Sequence, residues 1–154
     1  LALMTLILDV FKSYLAIKIC LMAITKFDSL NVLYQDELFI MSIVGVSSVV
    51  GHCFPVWLKL KGGKGVATGI GVMIAFNPIV GFMGILIWIL IFFITKISSL
   101  SALMMFFIYP FFLYTLNSNI FLVVSFSIIS FTIFCKHHEN ILRLMKNEEP
   151  KFKK

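Results

Sequence analysis

Residues 65–95 read GVATGIGVMIAFNPIVGFMGILIWILIFFIT, and how often this stretch crosses a bilayer decides the fold. Its 31 residues are too many for one comfortable span of about 20 and too few for two. Charge placement settles the number. Lys59, Lys61 and Lys64 precede the stretch and Lys96 follows it, and lysines of this kind collect on the cytoplasmic side. Two further apolar segments, 101–116 and 119–135, meet at the uncharged Asn117-Ser118. They deliver a basic tail carrying Lys136, Arg143, Lys146, Lys151, Lys153 and Lys154. Two crossings between 65 and 95, or a segment that dips in and returns, leave both basic regions on one side. Asn77-Pro78 supplies the break, so the reading is a short glycine-rich span, 65–76, followed by a full one, 79–95. Gly65 and Gly69 form a small-xxx-small pair suited to close helix packing.

Working towards the N-terminus, residues 38–54 form another span, with Ser42, Gly45, Ser48 and Gly51 on a stripe of small side chains. A polar connector, 26–37, carries Asp28, Asp36 and Glu37 against Lys26. Residues 1–24 are long enough to span but contain Asp9, Lys12 and Lys18. Asp9 and Lys12 stand three apart and share a helix face. They either pair to orient the helix or face a polar cavity, while Lys18 is expected to snorkel to the far surface. In the other direction, Tyr109-Pro110 predicts a kink in the span 101–116.

The composition agrees with spans throughout. Of the 154 residues 60% are hydrophobic and 13% charged, and the mean hydropathy is +1.05. Soluble domains carry about a quarter charged residues. The predicted fold is all-α: one polytopic membrane domain, 1–154, with about six helices, a cytoplasmic loop at 55–64 and a cytoplasmic amphipathic tail at 136–154. The net charge of +6 is read as a membrane signature, because no basic and aromatic interleaving suggests nucleic acid. Cys20, Cys53 and Cys135 are scattered, without metal spacing. The 17 Phe and 8 Met residues suit packing, and no cofactor is expected.

Chemistry concentrates in the loop. Gly51-His52-Cys53-Phe54-Pro55-Val56-Trp57-Leu58-Lys59-Leu60-Lys61-Gly62-Gly63-Lys64-Gly65-Val66-Ala67-Thr68 gathers lysines, a histidine and three loop glycines. Glycines can turn successive N–H groups into one concavity. With Lys64 and a helix starting near Val66, the loop reads as a phosphate cradle. It is not a Walker A loop, because Leu58 stands where the first glycine belongs. No Asp lies five residues after any histidine, so the common His-x4-Asp acyltransferase pairing is absent. In the tail, His137, Asn140, Ile141 and Leu144 share a helix face. By itself that is an amphipathic basic tail on anionic lipid. The topology, however, puts His137, Asn140 and Arg143 on the side of the glycine loop, where they can complete a site.

These residues resemble a known family. The run from Gly51 to Thr68 is similar to the second signature motif of the bacterial acyl-phosphate:glycerol-3-phosphate acyltransferases of the PlsY type. His137-x-x-Asn140-Ile141-x-Arg143-Leu144 resembles the third, with Glu149-Pro150 close by, and Asp9-x-x-Lys12 matches the helix after the first. Asn147-Glu148 stands where relatives usually have Gly-Thr. The chain starts at Leu1, beyond the family's Ser-Gly-Asn loop, so further residues are expected upstream.

The resemblance implies seven helices in an intact member and a bacterial inner-membrane location with a cytoplasmic-facing site. The implied reaction moves a fatty acyl group from acyl phosphate to the 1-hydroxyl of glycerol 3-phosphate, giving lysophosphatidic acid and phosphate, the first step of phospholipid synthesis. It also implies a functional link to the enzyme that forms acyl phosphate. His137, Asn140 and Lys64 would be catalytic, with His137 assisting the hydroxyl proton. Lys59, Lys61, Gly62, Gly63, Gly65, Thr68 and Arg143 would bind substrate, and His52, Glu149, Asp9 and Lys12 would support the site. Two other readings stand beside it: a transporter of a phosphorylated solute, and an inactive fragment of the acyltransferase without its first motif.

Overall fold

A computed structural model describes residues 2–26, 34–116 and 118–152. Seven α-helices account for most of it: α1 (Ala2–Lys26), α2 (Tyr34–Cys53), α3 (Val66–Phe76), α4 (Pro78–Thr95), α5 (Ser98–Thr115), α6 (Ile120–Lys136) and α7 (His138–Met145). A 3-10 turn, Val56–Leu58, follows α2. The acidic connector predicted at 26–37 falls largely outside the described residues, as do Asn117 of the predicted turn and Lys153 and Lys154 of the tail.

The break expected at Asn77-Pro78 is present and well capped. The Asn77 side chain accepts hydrogen bonds from the N–H groups of Ile79 and Val80 at 3.1 and 3.3 Å, and Pro78 opens α4, where its missing N–H costs nothing. From this turn α4 folds back along α3. Gly81 meets Ile74 and Gly84 meets Met73, at positions where a Cβ would collide. The short α3 is the hub. It packs on α1, α2 and α4, while its Gly69 lies against Phe106 of α5 and Ile133 of α6. Gly71 sits so close to α1 that an added Cβ would lie 2.1 Å from the Val10 carbonyl oxygen. Close approach of backbones is how helices associate in lipid, and here the glycines of α3 permit it on several sides.

Two polar side chains repair what the helices leave open. Pro110 lies inside α5 and has no N–H to donate to the carbonyl of Phe106. The Ser130 hydroxyl of α6 donates to that carbonyl at 2.7 Å instead. Lys18, expected at the far surface, donates to the Ala75 carbonyl in the last turn of α3 at 3.1 Å, a favourable place for a cation. The expected stripe in α2 is only partly a packing seam. Gly45 faces Val72 and Phe76, whereas nothing lies within 4 Å of a Cβ at Gly51.

Among the described residues, three helical stretches are long and apolar enough to cross a membrane: Glu37–Leu58, Pro78–Thr95 and Ser98–Thr115. A fourth arises if α6 and α7, bent by 64°, are taken together. The other expected spans are helices as well, but fall outside that length or apolar character. The reason is specific in each case: α3 has 11 residues, α6 has 17, and α1 carries Asp9, Lys12 and Lys18.

Candidate active site

The predicted loop and the predicted tail meet at the N-terminal end of α3. Pro55 ends α2, and the chain then turns tightly through Lys59 and Leu60, both at positive φ (51° and 63°). It returns to α2, where the N–H groups of Gly62 and Gly63 donate to the carbonyls of Cys53 and His52, each at 3.2 Å. Lys136 also donates to the Cys53 carbonyl, at 3.0 Å. These bonds satisfy the carbonyls that a helix leaves bare at its C-terminus. They also correct the cradle expected from the sequence: the N–H groups of Gly62 and Gly63 are committed to α2 and are not offered to a ligand.

Both glycines are nonetheless required. A Cβ on Gly62 would lie 2.1 Å from the His52 carbonyl oxygen, and one on Gly63 2.1 Å from His52 Nε2. The loop thus lies flat on the His52 ring. That ring is held in turn by Lys12, whose Nζ is 2.7 Å from His52 Nδ1 and 2.6 Å from Asp9 Oδ1. Since an ammonium only donates, His52 Nδ1 accepts and its proton is on Nε2. Of the two readings left open for Asp9 and Lys12, the pairing along α1 is present, and Asp9 but not Lys12 reaches the cavity described below, which His52 also lines.

Gly65 caps α3 at φ 83°, and no side chain accepts from the first N–H groups of the helix. The positive end of α3 is therefore open to an anion. Lys64 stands beside it and donates to Asn140 Oδ1 at 2.5 Å. Asn140 Nδ2 donates to Glu149 Oε1 at 2.5 Å. The amide orientation follows from chemistry, because Lys64 needs an acceptor and the carboxylate needs a donor. Ser99 also donates to Glu149 Oε1, at 2.6 Å, and Arg143 Nε to Oε2, at 2.7 Å.

The Glu149 side chain is only 7% exposed. Burial pushes its carboxyl up, but the hydrogen bonds from Ser99, Asn140 and Arg143, with the Arg143 charge, outweigh this and bring it down to about 2. As the pH falls from 4.5 towards 2, protonation removes what this carboxylate contributes to stability.

His137 occupies the bend between α6 and α7 and is 3% exposed. Its Nδ1 lies 2.8 Å from the Ile133 carbonyl, so Nδ1 carries the proton and Nε2 presents a lone pair. Burial first, and then the Lys64 charge, lower its pKa below 6.5 against the Ile133 hydrogen bond and the Glu149 charge. At neutral pH the imidazole is uncharged and able to accept a proton.

Around these groups is a cavity of about 890 Å³. Its polar end holds His52, Gly63, Lys64, Gly65, Ser99, His137, Asn140, Arg143 and Glu149, and its apolar wall is made by α3 and α4 through Ile70, Ile74, Ile85, Trp88 and Ile89. Not every residue predicted for the site is there. Lys59 and Lys61 are exposed and line no part of the cavity, and Gly62 is beneath the loop. Thr68 is fully buried against α1, where its carbonyl accepts from Ser13 at 2.8 Å, and its hydroxyl has no partner among the described residues. Ser99 was not foreseen. The only signal in the sequence was a serine pair after Lys96 in an otherwise apolar stretch.

Residues 1–147 match the family described as glycerol-3-phosphate acyltransferase. A glycerol-3-phosphate acyltransferase of Pelagibacter ubique (strain HTCC1062) is 38% identical over 151 residues, 97% of this chain and 70% of the relative. One from Anaplasma phagocytophilum (strain HZ) is 38% identical over 148 residues, 96% of this chain and 72% of the relative. A crystal structure of PlsY (YgiH), an integral membrane glycerol 3-phosphate acyltransferase, in its glycerol 3-phosphate form, superposes with a TM-score of 0.84 at 29% identity, covering 98% of this chain and 70% of that one. With the family match over residues 1–147, these identities and the shared helical architecture, the chain belongs to the glycerol-3-phosphate acyltransferase family of integral membrane proteins.

Proposed function

We propose that this chain transfers a fatty acyl group from acyl phosphate to the 1-hydroxyl of glycerol 3-phosphate, giving lysophosphatidic acid and inorganic phosphate. The observation that carries this reading is the hydrogen-bonded set Lys64, Asn140, Glu149 and Arg143 beside a neutral His137, placed where α3 points its open N-terminus into an apolar-walled cavity. The substrate phosphate would take the α3 N-terminus and Lys64, with Arg143 at the rim. In the free site Lys64 is bonded to a neutral amide, so its charge stays available to the anion.

An acyl phosphate is an activated mixed anhydride, and the site has to bring a hydroxyl to its carbonyl carbon and stabilise the charge that develops. The hydroxyl oxygen bonds to that carbon, the carbon–oxygen bond to phosphate breaks, and phosphate leaves with the electron pair. The hydroxyl proton passes to His137 Nε2 and from there to the departing phosphate. Ile70, Ile74, Ile85, Trp88 and Ile89 would shelter the acyl chain and keep water from the ester.

In this reading the protein lies in the bacterial inner membrane, with the loop at 55–64 and the tail on the cytoplasmic side, and α3 and α4 enter and return on that side. The gathering of Lys59, Lys61, Lys64, Lys136 and Arg143 around the site end of the bundle supports this orientation.

The test is product analysis with the chain in lipid vesicles supplied with acyl phosphate and labelled glycerol 3-phosphate. Lysophosphatidic acid and phosphate should form in equal amounts. Asn140→Asp should lower kcat/KM roughly 10- to 100-fold, because the new carboxylate would pair with Lys64 and repel Glu149. Uptake of labelled solute without ester formation would overturn the proposal.

A further inference from the structure

We propose that the turn at residues 56–61 is a docking surface for the anionic headgroup layer of the bilayer, with Trp57 as its apolar anchor and Lys59 and Lys61 as its phosphate contacts. Val56 and Trp57, 79% and 82% exposed, are the most exposed large apolar side chains among the described residues, and Leu58 and Leu60 stand beside them at 54% and 55%. A contiguous apolar patch of this kind marks an interaction site.

The display is built in. Leu58 and Leu60 N–H groups donate to the Pro55 carbonyl, Lys59 to Val56 and Lys61 to Leu58, at 3.0 to 3.1 Å. These bonds hold Lys59 and Leu60 at φ 51° and 63°, in the left-handed region that L residues with large side chains seldom enter. The fold thus maintains an uncommon backbone conformation in order to keep an apolar turn outside.

Charge selects the occupant. Neither Lys59 nor Lys61 has a carboxylate partner among the described residues, and no Asp or Glu occurs in the sequence between Glu37 and Glu139. Neither lysine reaches the cavity. Position points the same way. The apolar stretch Glu37–Leu58 is long enough to cross a membrane and ends inside this turn, so the turn emerges at the depth of the headgroups. Trp there, with lysines at its side, is the usual composition of a membrane interface. The same knot of backbone bonds continues into Gly62 and Gly63, so lipid contact at the turn bears on the setting of Lys64.

The chain has two tryptophans, and the fluorescence difference between the parent chain and Trp57→Phe isolates Trp57. A Trp88→Phe chain reads the same signal directly. Both are placed in phosphatidylcholine vesicles with or without phosphatidylglycerol and exposed to brominated lipid or to aqueous iodide. Brominated lipid is expected to quench Trp57, more strongly when phosphatidylglycerol is present. Lys59→Gln and Lys61→Gln should each shift the ratio of inserted to withdrawn turn about fivefold towards withdrawn. Three results would each overturn the proposal. One is full iodide access with no lipid quenching. Another is lipid quenching that ignores phosphatidylglycerol. The third is shielding from both quenchers, which would mean a protein partner.

Discussion

His137 shows how little separates an interfacial tail histidine from one buried in a polar cluster. In sequence it belongs to a basic stretch whose plainest reading is an interfacial helix. In the structure one carbonyl, that of Ile133, fixes its tautomer, and the bend between α6 and α7 buries it beside Lys64. Because the Lys64 charge lowers the His137 pKa, removing it should raise that pKa. The NMR titration midpoint of His137 is therefore expected below 6.5 in the parent chain and to move upward in Lys64→Met. An unmoved midpoint would separate the two side chains. The sign matters for stability as well. As the pH drops below 6.5 the unfolded chain takes up a proton that folded His137 resists, so acid costs stability at this residue. Asn140 cannot be replaced by its isostere Asp for a related reason, since it must accept from an ammonium and donate to a carboxylate at once.

At the scale of elements, the loop between α2 and α3 acts as a splint more than as a cradle. Its glycines were conspicuous in the sequence, and their usual explanation, N–H groups aimed at a ligand, was the wrong one for Gly62 and Gly63. The pairing of their N–H groups with α2 carbonyls depends on where the chain returns, which local sequence does not encode. Gly63 is needed because the His52 ring lies under it. Gly63→Ala should displace Lys64 and lower kcat/KM. Truncating the ring should relieve the clash, so in a His52→Ala background the added loss from Gly63→Ala should shrink. A double-mutant cycle measures that coupling, and strict additivity would show that the ring does not set the loop. Lys59, Lys61 and Thr68 were assigned to substrate as part of the same motif as Lys64. A tight turn and one face of α3 separate them from Lys64.

For the whole molecule, the decisive relation is the unequal length of α3 and α4. They diverge from one turn, and α4, with 18 residues, is longer than α3, with 11, by about 10 Å of helix. The polar end of the cavity is at the start of α3, the shorter of the two helices. The tail closes over it, tied by Glu149 to Ser99 and by the Phe152 N–H to the Lys96 carbonyl at 2.8 Å.

The all-helical class, the paired helices between 65 and 95 and the meeting of loop and tail were legible, because apolar runs and lysine placement follow from the bilayer itself. The role of Ser99 and the capping role of Lys18 were not, because they depend on distances between helices far apart in sequence. The proposed reaction needs the α3 N-terminus and Lys64 to hold the phosphate of the acceptor, and equilibrium binding of glycerol 3-phosphate to the chain in lipid bilayers tests that most directly. Lys64→Met should weaken binding about 10- to 100-fold, the loss of one charge-assisted hydrogen bond, with unesterified glycerol binding neither form. Equal affinity for glycerol 3-phosphate in the two forms would contradict it.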